Sequence, residues 1–174
     1  MTGSRRTRCL VAGGGPAGMM AGFLMARAGI DTIVLEKHAD FLRDFRGDTV
    51  HPSTLEIFND LNLLERFLQQ PHERLGKVAL RFRGQHYPVA DLDTLAVAAP
   101  YIAFMPQWHF LNFIAEQGRA LPHFTLMMKT EATDLIFDGG TVRGVQAQGP
   151  DGAFDIEADL TIAADGRGSA LREQ

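Results

Sequence analysis

A chain of 174 residues, 45% of them hydrophobic, is long enough for one sizeable core, since at this length roughly 70% of the unfolded surface is buried on folding. A net charge of −4 and a pI near 5.8 give no basic face, and no Lys/Arg cluster is interleaved with aromatics, which argues against nucleic acid as a partner. The lone Cys9 has no intrachain disulfide partner and lies in an apolar run, which fits a reducing compartment such as the cytoplasm.

Arg5, Arg6 and Arg8 precede an uncharged stretch from Cys9 to Ala26, a pattern shared with secretory and twin-arginine leaders. GGGPAG inside that stretch would break a membrane helix early, so a solvated basic start and no integral membrane segment are expected.

The run RCLVA at 8–12 reads as a short buried strand, and Pro16 stands where a helix begins and a missing N–H costs nothing. Ala17, Met20, Ala21, Leu24, Met25 and Ala28 then fall on one helical face, the face expected to be buried. Gly29 ends the helix and TIVLEK forms a second strand rich in β-branched residues. Strand, glycine turn, helix and strand together predict two parallel strands with a right-handed crossover.

Residues 38–51 read as a loop, and PSTLEIFNDLNLLERFLQQ as a helical stretch opened by Pro52 and interrupted near Asp60 to Asn62. In KVALRFRGQHYPV, Val78, Leu80 and Phe82 alternate with Ala79, Arg81 and Arg83 before a turn at Gly84, which predicts a hairpin over 77–89 with one polar face. After the irregular DLDTLAVAAP, YIAFM is a strand that leads through Pro106 into a helix over 108–120. FTLMM, EATDLIF, TVRGVQAQ and AFDIEA follow as short strands, punctuated as a meander by GG at 139–140 and GPDG at 149–152. LTIAAD is read as a separate last strand that turns through Gly166, Arg167 and Gly168 into a helix. The fold class is therefore α/β, a Rossmann-like parallel sheet with antiparallel hairpin and β-meander insertions.

Gly13, Gly15 and Gly18 form G-x-G-x-x-G between the first strand and helix, with Pro16 and Ala17 completing the turn. The first glycine permits a tight turn, the second lets a diphosphate approach the backbone, and the third lets helix and strand pack closely. The N–H groups at the helix start then face the anion, assisted by the helix dipole. Glu36, at the end of the second strand, can accept both hydroxyl protons of an adenosine ribose and would repel a 2′-phosphate. The residues alone leave FAD and NAD both open.

Four stretches in this order, GGGPAG with VLEK, RGDTVHPSTLEI, MPQWHFL and ADGRGSALR, resemble the N-terminal part of the class A flavoprotein monooxygenases, the para-hydroxybenzoate hydroxylase-like family. The resemblance runs over essentially the whole chain and favours FAD, held in a two-dinucleotide-binding fold. It implies that Lys37 accompanies Glu36, that Arg46 lies near the flavin end of FAD, and that Gln107 meets the ribityl and diphosphate region. Asp165, Gly166 and Arg172 match the family's "DG" signature, implicated in binding both FAD and the pyridine nucleotide. The family implies reduction of FAD by NADH or NADPH, uptake of O2 as a flavin C4a-hydroperoxide, and hydroxylation of a small, aromatic organic substrate. The hairpin at 77–89 would contribute to the substrate side.

The family continues beyond the "DG" signature, so the chain, residues 1–174, is read as the N-terminal FAD-binding domain of a longer protein. Two other readings are an FAD- or NAD-linked dehydrogenase or reductase without oxygen chemistry, and a cofactor-binding module without turnover. His38, His51, His72, His86, His109 and His123 are scattered, so no metal site is expected, and no catalytic acid, base or nucleophile is assigned. Ser169, in GRGSA, does not fit a nucleophile elbow.

Overall fold

The computed structural model describes residues 4–42 and 48–173. In chain order its elements are β1 (Arg5–Ala12), α1 (Pro16–Arg27), β2 (Thr32–Glu36), β3 (Thr49–Val50), α2 (Pro52–Asp60), α3 (Leu64–Phe67), β4 (Glu73–Leu75), β5 (Lys77–Phe82) and β6 (Gln85–Asp91). They continue as β7 (Ile102–Phe104), α4 (Gln107–Arg119), β8 (Phe124–Met128), β9 (Glu131–Asp138), β10 (Thr141–Gly149) and β11 (Gly152–Ala163). The chain divides into two compact units, Met1–Phe41 with Leu111–Gln174, and Leu42–Phe110.

The first unit is built on a six-stranded sheet in the order β8-β2-β1-β11-β10-β9. β8, β2, β1 and β11 run parallel, while β10 and β9 add antiparallel strands at one edge. Central parallel strands are covered on both faces and so read as unbroken apolar runs. β1 fits this, with Cys9, Leu10, Val11 and Ala12 all at most 1% exposed. Burial pushes the Cys9 thiol above its ordinary pKa, which leaves little thiolate at neutral pH. Cys9 is therefore expected to resist a thiol reagent in native buffer and to titrate fully in denaturant; full reaction of the native chain would contradict this packing.

α1 buries a different face from the one its apolar spacing selects. Gly18, Met19, Gly22, Phe23 and Ala26 are the buried residues, while Ala17, Leu24 and Ala28 are exposed. The helix is apolar almost all round, so side-chain hydrophobicity alone does not fix its rotation. The two glycines do. A Cβ at Gly22 would stand 2.2 Å from Val34 Cγ2, so only a residue without a side chain lets the helix lie this close to β2.

The last strand is also different from expectation. AFDIEA and LTIAAD are one continuous strand of 12 residues, β11. Its first half pairs with β10, from Gly152 opposite Gly149 to Glu157 opposite Gly144, and its second half runs parallel to β1 from Ile156 to Ala163. A single strand with two different neighbours joins the meander to the parallel sheet. Beyond it the described residues turn and end in a 3₁₀ turn, Leu171–Glu173, where the start of a helix is expected.

The second unit contains a three-stranded sheet in the order β3-β7-β4, the two-stranded β5-β6 hairpin, and α2 and α3. β4 was not apparent in the sequence, where three residues are too few for a period-2 pattern. The helical stretch breaks as expected, at Asn62, whose φ of 58° stops α2. Leu63 N–H closes on the Phe58 carbonyl at 2.8 Å. Phe58, Phe67 and Phe110 form the aromatic cluster of this unit, with centroids 4.5 to 6.0 Å apart.

The hairpin turns through Arg83 and Gly84, φ 49° and 82°, the two left-handed residues a type I′ turn requires. At its base the Lys77 ammonium lies 3.3 Å from Asp91 and 3.6 Å from Asp93, and these carboxylates push its pKa up. Leu80 stands opposite Tyr87, and Phe82 lies two residues on, so these three share a face. That face is apolar and exposed among the described residues, with Leu80 at 64% and Phe82 at 61%. Among the described residues no helix is long and apolar enough to cross a membrane, and no group of three His, Cys, Asp or Glu could hold a metal ion.

Candidate cofactor site

The site grows from the register of the first unit. β1 aligns Ala12 with Ala163 of β11 on one side and with Leu35 of β2 on the other. All three strands therefore end at one level, and the segments that leave them meet: Gly13–Gly18 from β1, Glu36–His38 from β2, and Ala164–Ser169 from β11. Ala164 N–H donates to the Ala12 carbonyl at 2.7 Å and Gly13 N–H to the Leu35 carbonyl at 3.0 Å. Carboxyl ends of parallel strands are where open α/β sheets bind ligands.

The three glycines of the motif have distinct environments. Gly13 has φ +111°, and a Cβ there would lie 2.3 Å from the Ala164 carbonyl oxygen. A Cβ at Gly18 would lie 1.9 Å from the Gly13 carbonyl oxygen. Both glycines therefore serve backbone-to-backbone packing. Gly15 has φ −71° and ψ 179°, extended backbone open to any residue, and among the described residues no heavy atom beyond its own chain neighbours lies within 4 Å of where its Cβ would be. Among the described residues its glycine answers to no packing neighbour, in contrast to Gly13 and Gly18.

Gly15 is also the N-cap of α1, without a side-chain cap, and the first turn carries no acid. The positive end of a 12-residue helix thus faces the open space uncompensated by any carboxylate of its own turn. Among the described residues, Gly166 and Gly168 likewise have no atoms beyond their chain neighbours within 4 Å of a would-be Cβ. Two open glycine segments side by side, one at a helix N-terminus, suit the diphosphate of a dinucleotide.

Glu36 is 8% exposed and reaches back over the loop. Its Oε2 accepts from Gly14 N–H at 3.2 Å, and its Oε1 accepts from His38 N–H at 2.9 Å and from His38 Nδ1 at 2.5 Å. Gly14, the variable middle position of the motif, is required here by packing, because a Cβ would stand 2.6 Å from Glu36 Cβ. Neither Gly14 nor His38 was singled out for the site from sequence. Gly14 sits at a position the spacing rule leaves free, and His38 is one of six scattered histidines until β2 places it beside Glu36.

The remaining expected residues are placed as follows. Pro16 and Ala17 are the exposed first residues of α1. Lys37 is exposed and its Nζ lies 3.3 Å from Glu131 Oε1. Asp165 is half-buried beside Gly166, whose φ is +92°. Arg172 folds onto its own loop: its Nη2 donates to the Arg167 carbonyl at 3.0 Å, and its N–H donates to Oγ of the buried Ser169 at 3.0 Å. Ser169 is thus a turn-fixing residue that the search for a nucleophile passed over. Gln107 is the half-buried first residue of α4, in the second unit. Arg46 lies outside the described residues.

Comparison with known proteins agrees with this geometry. A family model described as "FAD binding domain" matches residues 6–174. The chain is 33% identical over 168 residues to 6-methylpretetramide 4-monooxygenase of Streptomyces rimosus, which covers 96% of this chain and 40% of that protein. Among solved structures, the anhydrotetracycline hydroxylase of Streptomyces rimosus superposes with a TM-score of 0.81 at 28% identity, over 97% of this chain and 33% of that one. The p-nitrophenol 4-monooxygenase of Pseudomonas putida shares the fold, with a TM-score of 0.84 at 24% identity, over 97% of this chain and 43% of that one. The chain thus spans less than half the length of each of these proteins. It belongs to the FAD-binding domain family of the class A flavoprotein monooxygenases.

Proposed function

We propose that this chain is the FAD-binding portion of a monooxygenase that takes electrons from NADH or NADPH and places one oxygen atom of O2 on a small, aromatic organic substrate. The observation that carries the cofactor half is the open cradle at Gly15 between the N-terminus of α1 and the Gly166–Gly168 turn, with Glu36 at its rim. The reaction half is supported by the relatives: one is named for 6-methylpretetramide, another for anhydrotetracycline, a third for p-nitrophenol.

In this reading Gly13, Gly15, Pro16, Ala17 and Gly18 receive the diphosphate and Glu36, flanked by Lys37, receives the adenosine ribose. Asp165 and Gly166 face the cofactor from the β11 side, and Arg172 holds that turn in shape through Arg167 and Ser169. By the family resemblance alone, Arg46 and Gln107 are assigned to the flavin end. When bound, FAD supplies the oxygen-activating chemistry; the chain binds it, orients it and shields it from water. The exposed apolar face of Leu80, Phe82 and Tyr87 supports a substrate-side role for the hairpin. A cytoplasmic setting belongs to the same proposal.

The test of the reaction is oxidation of NADH or NADPH by the flavin-loaded protein, stimulated by phenolic substrates, with isotopically labelled O2 appearing in the product. Nucleotide oxidation without label in any product would favour a reductase. For the cofactor, Glu36→Gln removes the charge that accepts a ribose hydroxyl. Its FAD affinity is expected to fall about tenfold, since a hydrogen bond to a charged group contributes roughly 1.5–3 kcal/mol. Fluorescence titration measures this, and an unchanged dissociation constant would remove Glu36 from the site.

A further inference from the structure

We propose that His38 is the positioning residue for Glu36: its imidazole fixes the carboxylate that receives the adenosine ribose, so cofactor affinity depends on a side chain outside the glycine motif. The inference rests on the FAD reading above and concerns how its ribose acceptor is held.

A carboxylate on a flexible side chain can turn about its last bond and re-aim its lone pairs, and a hydroxyl ligand gains least when it must first order its acceptor. Here both oxygens are held. Oε2 is taken by Gly14 N–H at 3.2 Å, whereas Oε1 receives both the backbone N–H and the ring Nδ1 of His38, at 2.9 and 2.5 Å. A carboxylate only accepts, so Nδ1 must carry the proton. The two oxygens are chemically equivalent, so what the donors fix is the plane of the group: Nδ1 reaches Oε1 from a different direction than the backbone N–H of the same residue and adds to the hold of Gly14 on Oε2.

The anchor for this clamp is itself fixed. The Glu36 carbonyl accepts from Thr130 N–H at 2.9 Å and the His38 carbonyl from Lys129 N–H at 2.9 Å, so the turn between β8 and β9 holds the backbone on both sides of Lys37. Lys37 itself is turned to Glu131, at 3.3 Å. Glu36 is buried to 10% side-chain exposure while the His38 ring is 48% exposed. Removing the ring therefore opens no core cavity, which separates a positioning role from a role in folding.

The experiment is calorimetric binding of FAD, ADP and 2′,3′-dideoxy-ADP to the unmutated chain, His38→Ala and His38→Asn. His38→Ala is expected to weaken FAD and ADP about three- to tenfold, in line with the cost of ordering one flexible side chain, and to leave the dideoxy nucleotide unaffected. His38→Asn, whose amide N–H stands where Nδ1 stood, is expected to recover most of the loss. Equal weakening of ADP and dideoxy-ADP, unchanged or tighter FAD binding in His38→Ala, or no recovery in His38→Asn would each overturn the assignment. Failure of the unmutated chain to bind FAD would instead overturn the cofactor reading, and this inference with it.

Discussion

The Gly15→Asp variant is expected to be as stable as the unmutated chain and to bind FAD at least about a hundredfold more weakly. The two halves of this result come from one residue because, in the proposed function, Gly15 answers to the ligand and not to the fold. Its φ of −71° and ψ of 179° are open to any side chain, and among the described residues a Cβ there meets no atom beyond its chain neighbours within 4 Å. As the N-cap of α1 it lacks a side-chain cap, and aspartate is among the residues that best supply one. The helix end should therefore be held at least as well. The cofactor would meet a new side chain and a negative charge where its diphosphate approaches. Like charges about 4 Å apart near a protein surface repel by roughly 4 kcal/mol, and screening in an open site still leaves about a hundredfold. Gly15→Asn, an equally good cap without the charge, separates bulk from electrostatics and should lose less. Thermal unfolding and FAD titration read the two halves independently; loss of stability in parallel with loss of binding would make Gly15 a structural glycine.

Gly18→Ala is expected to do the opposite: to damage the fold first, by about 2 kcal/mol net. Helix propensity alone argues for a gain of roughly 1 kcal/mol, since alanine is the better helix former. Packing decides the sign. The new Cβ would stand 1.9 Å from the Gly13 carbonyl oxygen and 3.2 Å from Ala164 Cβ, and the nearest obstacle is backbone that cannot rotate away. Overpacking of this kind costs about 1–3 kcal/mol, and here α1 must move off both β1 and the turn after β11. Against a total stability of roughly 5–15 kcal/mol this is a large fraction. A Gly18→Ala chain with unchanged or raised thermal stability would contradict the close approach of helix and turn.

Motifs with a fixed spacing and a physical reason were the legible part. GGGPAG announces a strand end, a turn and a helix start, and all three lie where the spacing puts them. The meander was legible through its turn residues. The rotation of α1 was not, because a count of apolar side chains gives no weight to Gly18 and Gly22, whose missing side chains set the contact. The unity of β11 was hidden too, since its two halves have different partners and so different patterns.

At the site, Glu36 could be found from its place at the end of a strand 18 residues after Gly18. Gly14 and His38 could not, because their roles exist only once β2 lies beside β1. Arg172 illustrates a different limit. A motif match identifies the residue, but the bonds of its side chain to the Arg167 carbonyl and of its backbone N–H to Ser169 are visible only in the folded turn.

The most direct test of the central claim is to mix the purified chain with FAD, remove the unbound flavin, and record the visible spectrum with NAD as a competitor. The cradle at Gly15 and Glu36 predicts a retained two-banded flavin spectrum, a single flavin per chain, not displaced by NAD and absent from Gly15→Asp. A colourless chain that binds NAD, or a Gly15→Asp chain that stays as yellow as the original, would contradict it.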